Sequence, residues 1–229
     1  MLENHPSRVE YDNPKMYRWK SWEPNTPFAP SWDIPIYVDQ CGKDIASSLA
    51  GIISKTDICK HRDRWQSYNI FNWNYITFAY LCDRIYQVYQ EYMYELDYTP
   101  LSKDKLWIRG WGTVLEQDQQ IEYHSHAFHE NTYLSGNISL SDLDTTTDYF
   151  FPNLSWYYGF WKVKNSSGKM TLFPSWIEHQ VDPNTTGEVR FSLAFDMFTE
   201  HSLEYISENR NQNSVSQNII LLSKRMDMI

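Results

Sequence analysis

Residues 106–128 read LWIRGWGTVLEQDQQIEYHSHAF. The stretches 106–115 and 120–127 are short apolar or alternating runs, separated by a polar break. Such runs, bounded by turn-forming residues, predict β-strands. The same texture continues downstream, with further strands expected over 132–140, 156–164, 168–173, 177–181 and 188–198. Gly, Asn, Asp, Ser and Pro clusters separate them. Many short strands with turn signals between them point to a β-sandwich, barrel or jelly roll.

Upstream the pattern is different. Residues 1–32 carry Pro6, Pro14, Pro24, Pro27 and Pro30 and read as an extended arm. WDIPIYV (32–38) reads as a first strand. Over 44–54, Ile45, Leu49, Ile52 and Ile53 share one helical face, with Asp44 near the positive end of the helix dipole. Over 75–96, Phe78, Leu81, Cys82, Ile85, Val88, Tyr89, Tyr92 and Leu96 form a second apolar stripe. Helices followed by strands define an α+β, mainly β class. The expected organisation is an arm (1–32), a first strand with a helical buttress (33–105), a β core (106–200) and a tail (201–229). Residues 33–229 form one domain. The polar stretch 207–218 leads to IILLSKRMDMI (219–229), which reads either as a short docking helix or as a contact with a partner, including a second copy of the chain.

The 229 residues suffice for one domain with a sizeable core. A net charge of −9 argues against a protein that holds nucleic acid by charge alone. Cys41, Cys59 and Cys82 are odd in number and contain no CxxC, so reduced thiols are expected rather than a disulfide framework. No secretory h-region and no membrane-length apolar run is seen, so a soluble, cytoplasmic protein is expected.

His124 and His126 are separated by one residue on an expected strand, so both imidazoles project from one face. A distant His179 follows. Imidazole suits iron, zinc, copper and nickel, so the residues alone do not fix the metal. Downstream, VRFSLAFDM (189–197) alternates: Val189, Phe191, Leu193, Phe195 and Met197 take one face, and Arg190, Ser192 and Ala194 the other. The apolar face can pack on the helices. The other then carries a guanidinium into the sandwich, which is costly unless an anion pairs with it. A dicarboxylate would supply that anion through a bidentate fork.

The segments HSHAFHENTYLSG (124–136), LFPSWIEHQVDPN (172–184) and RFSLAF (190–195) resemble the iron- and cosubstrate-binding motifs of the Fe(II)/2-oxoglutarate-dependent oxygenases. The nearest resemblance is to a group found in marine bacteria and their phages, and it covers about 106–198. It implies a double-stranded β-helix (jelly roll), Fe(II), 2-oxoglutarate as cosubstrate, and O2. It also implies that His124 and His179 are iron ligands. Arg190 would pair with the far carboxylate of 2-oxoglutarate, assisted by Ser192, with Tyr133 a further candidate for that pocket. His126 stands where the wider superfamily has Asp or Glu. Either His126 is the third ligand or a carboxylate such as Glu122 or Glu130 takes its place. The implied activity is oxidative decarboxylation of 2-oxoglutarate coupled to hydroxylation of a small metabolite or a protein side chain.

Two other classes remain open on sequence grounds. One is a cupin-like metal dioxygenase or isomerase without 2-oxoglutarate, which would keep the three histidines and leave Arg190 idle. The other is a non-catalytic jelly-roll binding or structural module. His5, His61, His129 and His201 read as structural. Trp111, Trp156, Trp161 and Trp176 read as core. The cluster 60–64 reads as a solvated loop, and the stretch 141–155 as a polar-then-aromatic loop suited to substrate contacts.

Overall fold

The computed structural model describes residues 15–20, 26–28, 31–127, 132–150, 160–208 and 218–227. Strand β1 (Lys15–Lys20) and β2 (Asp33–Gln40) precede helices α1 (Lys43–Ser54) and α2 (Ile76–Glu95). The β core comprises β3 (Trp107–Leu115), β4 (Ile121–His124), β5 (Leu134–Ser139), β6 (Thr146–Phe150), β7 (Phe160–Lys164), β8 (Lys169–Pro174), β9 (Glu178–Val181) and β10 (Arg190–Phe198). A helix over Glu200–Glu208, a short strand β11 (Ile220–Leu221) and a helical turn over Leu222–Met226 follow.

The strands form two antiparallel sheets. The larger has the order β1-β2-β8-β5-β10-β3-β11, and the smaller β4-β9-β6-β7. From β3 to β10 the chain keeps crossing between them: β3, β5, β8 and β10 lie in the large sheet, and β4, β6, β7 and β9 in the small one. That crossing pattern is the jelly roll.

Two apolar clusters hold the layers. In the first, Leu193, Phe195 and Met197 of β10 pack with Leu49 and Ile53 of α1 and Phe78, Leu81, Ile85 and Tyr89 of α2. The outward apolar face of β10 therefore meets the helical buttress, as its alternation predicts. The second cluster includes Ile34, Ile36, Tyr149, Trp161, Phe173 and Ile177, and fills one end of the space between the sheets. The other end holds the polar cavity described below. All three cysteines are free and buried.

Two expectations are corrected, and a third is narrowed. Part of the arm 1–32 is a strand, because Lys15–Lys20 pairs antiparallel with β2, from Lys15↔Val38 to Lys20↔Asp33. The presumed loop 141–155 contains β6, which pairs with both β7 and β9. Its polar residues are buried because they find partners: Thr147 Oγ1 donates to Asn165 Oδ1 (3.2 Å), and Lys162 Nζ pairs with Asp148 Oδ2 (2.8 Å). Of the tail, Ile220 and Leu221 pair with β3, and Leu222 and Met226 are buried in the first cluster of the same chain. Those apolar groups pack within the chain, as the docking-helix reading of the tail expects. Among the described residues no helix is long and apolar enough to cross a membrane.

Gly136 and Gly110 face Phe195 from the neighbouring strands β5 and β3. A Cβ at Gly136 would run into the Phe195 ring, which is fully buried and cannot swing away. Gly136→Ala should therefore lower stability by about 1–3 kcal/mol through overpacking. Urea unfolding would show this as a lower midpoint at unchanged slope, and adding Phe195→Leu should recover part of the loss.

Candidate metal centre

Strand pairing assembles the three imidazoles. His124 ends β4 and lies opposite His179 of β9. His126 lies two residues beyond His124, and its N–H donates to the carbonyl of Ser175 (2.9 Å). Ser175 belongs to the turn between β8 and β9, closed by Ile177 N–H to Pro174 O (3.0 Å). The FPSW segment thus fixes the backbone of the first histidine motif.

One ring nitrogen from each of His124, His126 and His179 lies within 4.8 Å of the others. The Nδ1 atoms are engaged elsewhere. His124 Nδ1 faces the Glu122 carbonyl (2.7 Å), His179 Nδ1 the Ile177 carbonyl (3.1 Å), and His126 Nδ1 the Asp196 carboxylate (2.6 Å). With acceptors at every Nδ1, that nitrogen carries the proton and Nε2 keeps its lone pair. Burial pushes His179 well below the ordinary imidazole value, helped by His126 and His124. Burial and the neighbouring His126 also lower His124. These two rings are therefore neutral donors near pH 7. The Nε2 atoms of His124 and His126 are 3.3 Å apart. Convergent lone pairs at this spacing favour a cation between them, so the donor set fits a divalent metal.

Asp196 is 2 % exposed. Its Oδ1 also accepts from Ser135 Oγ (2.8 Å), and its Oδ2 from Arg109 Nη2 (3.1 Å). Burial opposes ionisation of this carboxyl, but His126, Arg109 and Ser135 outweigh it and hold it below its ordinary value. Arg109 in turn lies over the rings of Trp65 (4.8 Å) and Trp111 (5.2 Å).

The imidazoles open on a cavity of about 840 Å³. Arg190, Ser192, Ala194, Asn137 and Trp111 line it from the large sheet, and Trp65 and Tyr68 from the segment between α1 and α2. Arg190 is 2 % exposed, and its Nε and Nη1 have no hydrogen-bond partner among the described residues. Burial pushes this guanidinium down to about 10, against a small upward effect of Tyr149. A charged fork facing a cavity with two unanswered N–H groups is costly unless a ligand anion answers it. The residues present therefore fit a carboxylate-bearing ligand beside the metal.

Of the expected site residues, His124, His126, His179, Arg190 and Ser192 come together. Tyr133 does not: its hydroxyl bonds that of Tyr89 (2.9 Å), under α2 and away from the cavity lining. The Glu122 side chain is exposed and takes a bond from Gln120 (2.7 Å), so this carboxylate is not among the clustered ligands. Glu130, His129 and Trp156 lie outside the described residues. His61, read as structural, lines the cavity, as does Trp111. Trp161 is core, whereas Trp176 is exposed. Asp196, Arg109 and Tyr149 were not singled out by sequence. Asp196 continues the inward face of β10 after Ala194, so the same alternation reaches it.

Residues 155–196 match the family model described as "Putative 2OG-Fe(II) oxygenase". That span includes His179, Arg190 and Ser192 and begins after His124 and His126. A search of curated proteins finds no match to the sequence. Among solved structures, the chain is similar to a prolyl-4-hydroxylase from Pseudomonas putida, at 13% identity and a TM-score of 0.50, covering 72% of this chain and 86% of that one. It is also similar to HygX from Streptomyces hygroscopicus with nickel and 2-oxoglutarate bound, at 15% identity and a TM-score of 0.52, covering 72% and 82%. The iron-bound form of HygX aligns at 16% identity and a TM-score of 0.51, with the same coverage. At such identities the structural likeness is one of fold. Over residues 155–196 the chain is similar to the 2OG-Fe(II) oxygenases, and its jelly roll is a fold shared with the solved structures above.

Two outcomes follow from this geometry. His124→Ala and His179→Ala should each abolish uptake of Fe(II) or Ni(II), read as metal content after anaerobic loading and desalting. Arg190→Met should stabilise the ligand-free protein by about 1–3 kcal/mol, because it removes buried donors without partners. A lower unfolding midpoint would instead mean that the guanidinium is already paired.

Proposed function

We propose that the chain is an Fe(II)- and 2-oxoglutarate-dependent dioxygenase that hydroxylates a small metabolite or a protein side chain. The observation that carries this reading is Arg190, a buried guanidinium with unanswered N–H groups facing the same cavity as three clustered imidazoles. A metal-binding protein with no anionic ligand would have no use for it. When bound, iron with 2-oxoglutarate supplies O2 activation coupled to decarboxylation of the cosubstrate.

The chain's own residues have separable tasks. His124, His126 and His179 would hold the metal through Nε2. Arg190 would take the far carboxylate of 2-oxoglutarate in a charged fork, with the Ser192 hydroxyl and the Asn137 amide beside it. This leaves the side of the cavity bounded by Trp65, Tyr68, Trp111 and Thr113 for substrate. Aromatic walls there exclude water and orient an organic substrate.

The test is anaerobic titration of the purified protein with Fe(II) and 2-oxoglutarate, following the visible charge-transfer band of the chelate. A band is expected in the wild type. Arg190→Ala should weaken 2-oxoglutarate binding by about 2–5 kcal/mol, the cost of truncating one partner of a buried charged pair. Metal uptake with no band would favour a metal dioxygenase or isomerase that does not use 2-oxoglutarate. Absence of metal uptake would favour a binding module.

A further inference from the structure

The three-imidazole set raises a question of charge. The 2-His-1-carboxylate triad of non-haem iron oxygenases brings one negative charge to the metal. Three neutral imidazoles bring none. His126 differs from the other two in what stands behind it. His124 and His179 turn Nδ1 to backbone carbonyls, which are neutral acceptors. His126 turns Nδ1 to a carboxylate, at 2.6 Å.

Resting on the metal-centre reading above, we propose that Asp196 is a positioning residue that returns this charge to the metal through the His126 ring. The carboxylate fixes the tautomer with Nδ1 protonated, sets the plane of the ring and enriches Nε2 as a donor. The charge of the triad is kept, but moved outward by the width of one imidazole.

The surroundings of Asp196 suit this task. Both its oxygens are occupied on the side away from the cavity, by Ser135 and Arg109. It therefore cannot easily swing in and become a ligand itself. Arg109 is buried against the rings of Trp65 and Trp111, and its guanidinium holds Asp196 Oδ2 in place at 3.1 Å. Trp111 also packs against the His126 ring, at 5.3 Å between centroids, restricting its rotation. Low local dielectric strengthens the carboxylate–imidazole bond relative to the same pair in water.

A purely structural role for Asp196, as the partner of Arg109, is the rival account, and a double-mutant cycle separates the two. The variants are Asp196→Asn, His126→Asp and their combination. The readouts are Co(II) affinity, by competition with a chelator, and the energy of the Fe(II)·2-oxoglutarate charge-transfer band. In the wild-type background, Asp196→Asn should weaken Co(II) binding by about 10–100-fold and shift the band to higher energy, as a poorer donor lowers the metal's electron density. In the His126→Asp background a carboxylate ligates the metal directly. There Asp196→Asn should cost little, or improve affinity by removing a neighbouring like charge.

Equal losses in both backgrounds would overturn the proposal in favour of the structural role. So would unchanged affinity and band in Asp196→Asn. Thermal unfolding checks each fold. If Asp196→Asn leaves Arg109 too costly to bury, Arg109→Met/Asp196→Asn removes the stranded cation, and the same loss and band shift are expected of it. Absence of Co(II) binding in the wild type, or normal binding in His124→Ala, would overturn the metal centre itself and this inference with it; normal binding in Asp196→Asn alone overturns only the inference.

Discussion

Strand β10 is hydrogen-bonded on both edges, to β3 from Arg190↔Leu115 to Phe198↔Trp107 and to β5 from Ser192↔Ser139 to Met197↔Leu134. Its two faces do unlike jobs. Leu193, Phe195 and Met197 enter the core under the helices, while Arg190, Ser192 and Asp196 turn toward the imidazoles. A slip of one residue would exchange these sets, placing two charges in the apolar core. Phe195 opposes such a slip, because it needs the bare backbone of Gly136 on β5, while Gly110, its partner on β3, makes room for the Phe71 ring. Position of the charged groups and packing of the core are thus settled by one register.

Arg109 and Arg190 are both buried beside the site but differ in how they are matched. Arg109 is matched inside the fold by Asp196, and removing either member of such a buried pair typically costs about 3–5 kcal/mol. Arg190 is not matched in this way among the described residues. The fold tolerates that imbalance because the rest of the strand is well packed and paired on both edges. Local destabilisation at a ligand site, held in place by a stable scaffold, is a recurrent arrangement in proteins that bind charged molecules.

Much of this was legible in the sequence. Periodicity located α1, α2 and most core strands to within a few residues, and the spacing of HSH, FPSW…H and RFS identified the inner face of the site. The failures have physical causes. TTDYF (146–150) looks like loop because its first three residues are polar, yet Thr147 and Asp148 are buried and bonded to groups on the far side of a hairpin. Hydropathy cannot register such pairing. Tyr133 lies close to His126 in sequence, but it precedes the first residue of β5, so the strand's alternation does not govern it, and its hydroxyl goes to Tyr89 instead. Asp196 was within reach of the same alternation that placed Arg190; what the sequence lacks is any sign that His126 would lie beside it.

The segment 218–226 reaches back across the whole chain. The Asn69 amide donates to the Asn218 carbonyl (2.7 Å), and Arg225 Nη2 donates to the carbonyls of Trp73 and Tyr75 (2.6 Å each), just before α2 begins. The helical layer is therefore completed by segments that follow it in the chain: β3 and β10 for its broad face and 218–226 for its end. On the ribosome β3 follows α2 closely, whereas β10 emerges some hundred residues after it, roughly 5–20 s later at ordinary elongation rates. Folding of this jelly roll therefore depends on long-range contacts, which form slowly compared with local ones.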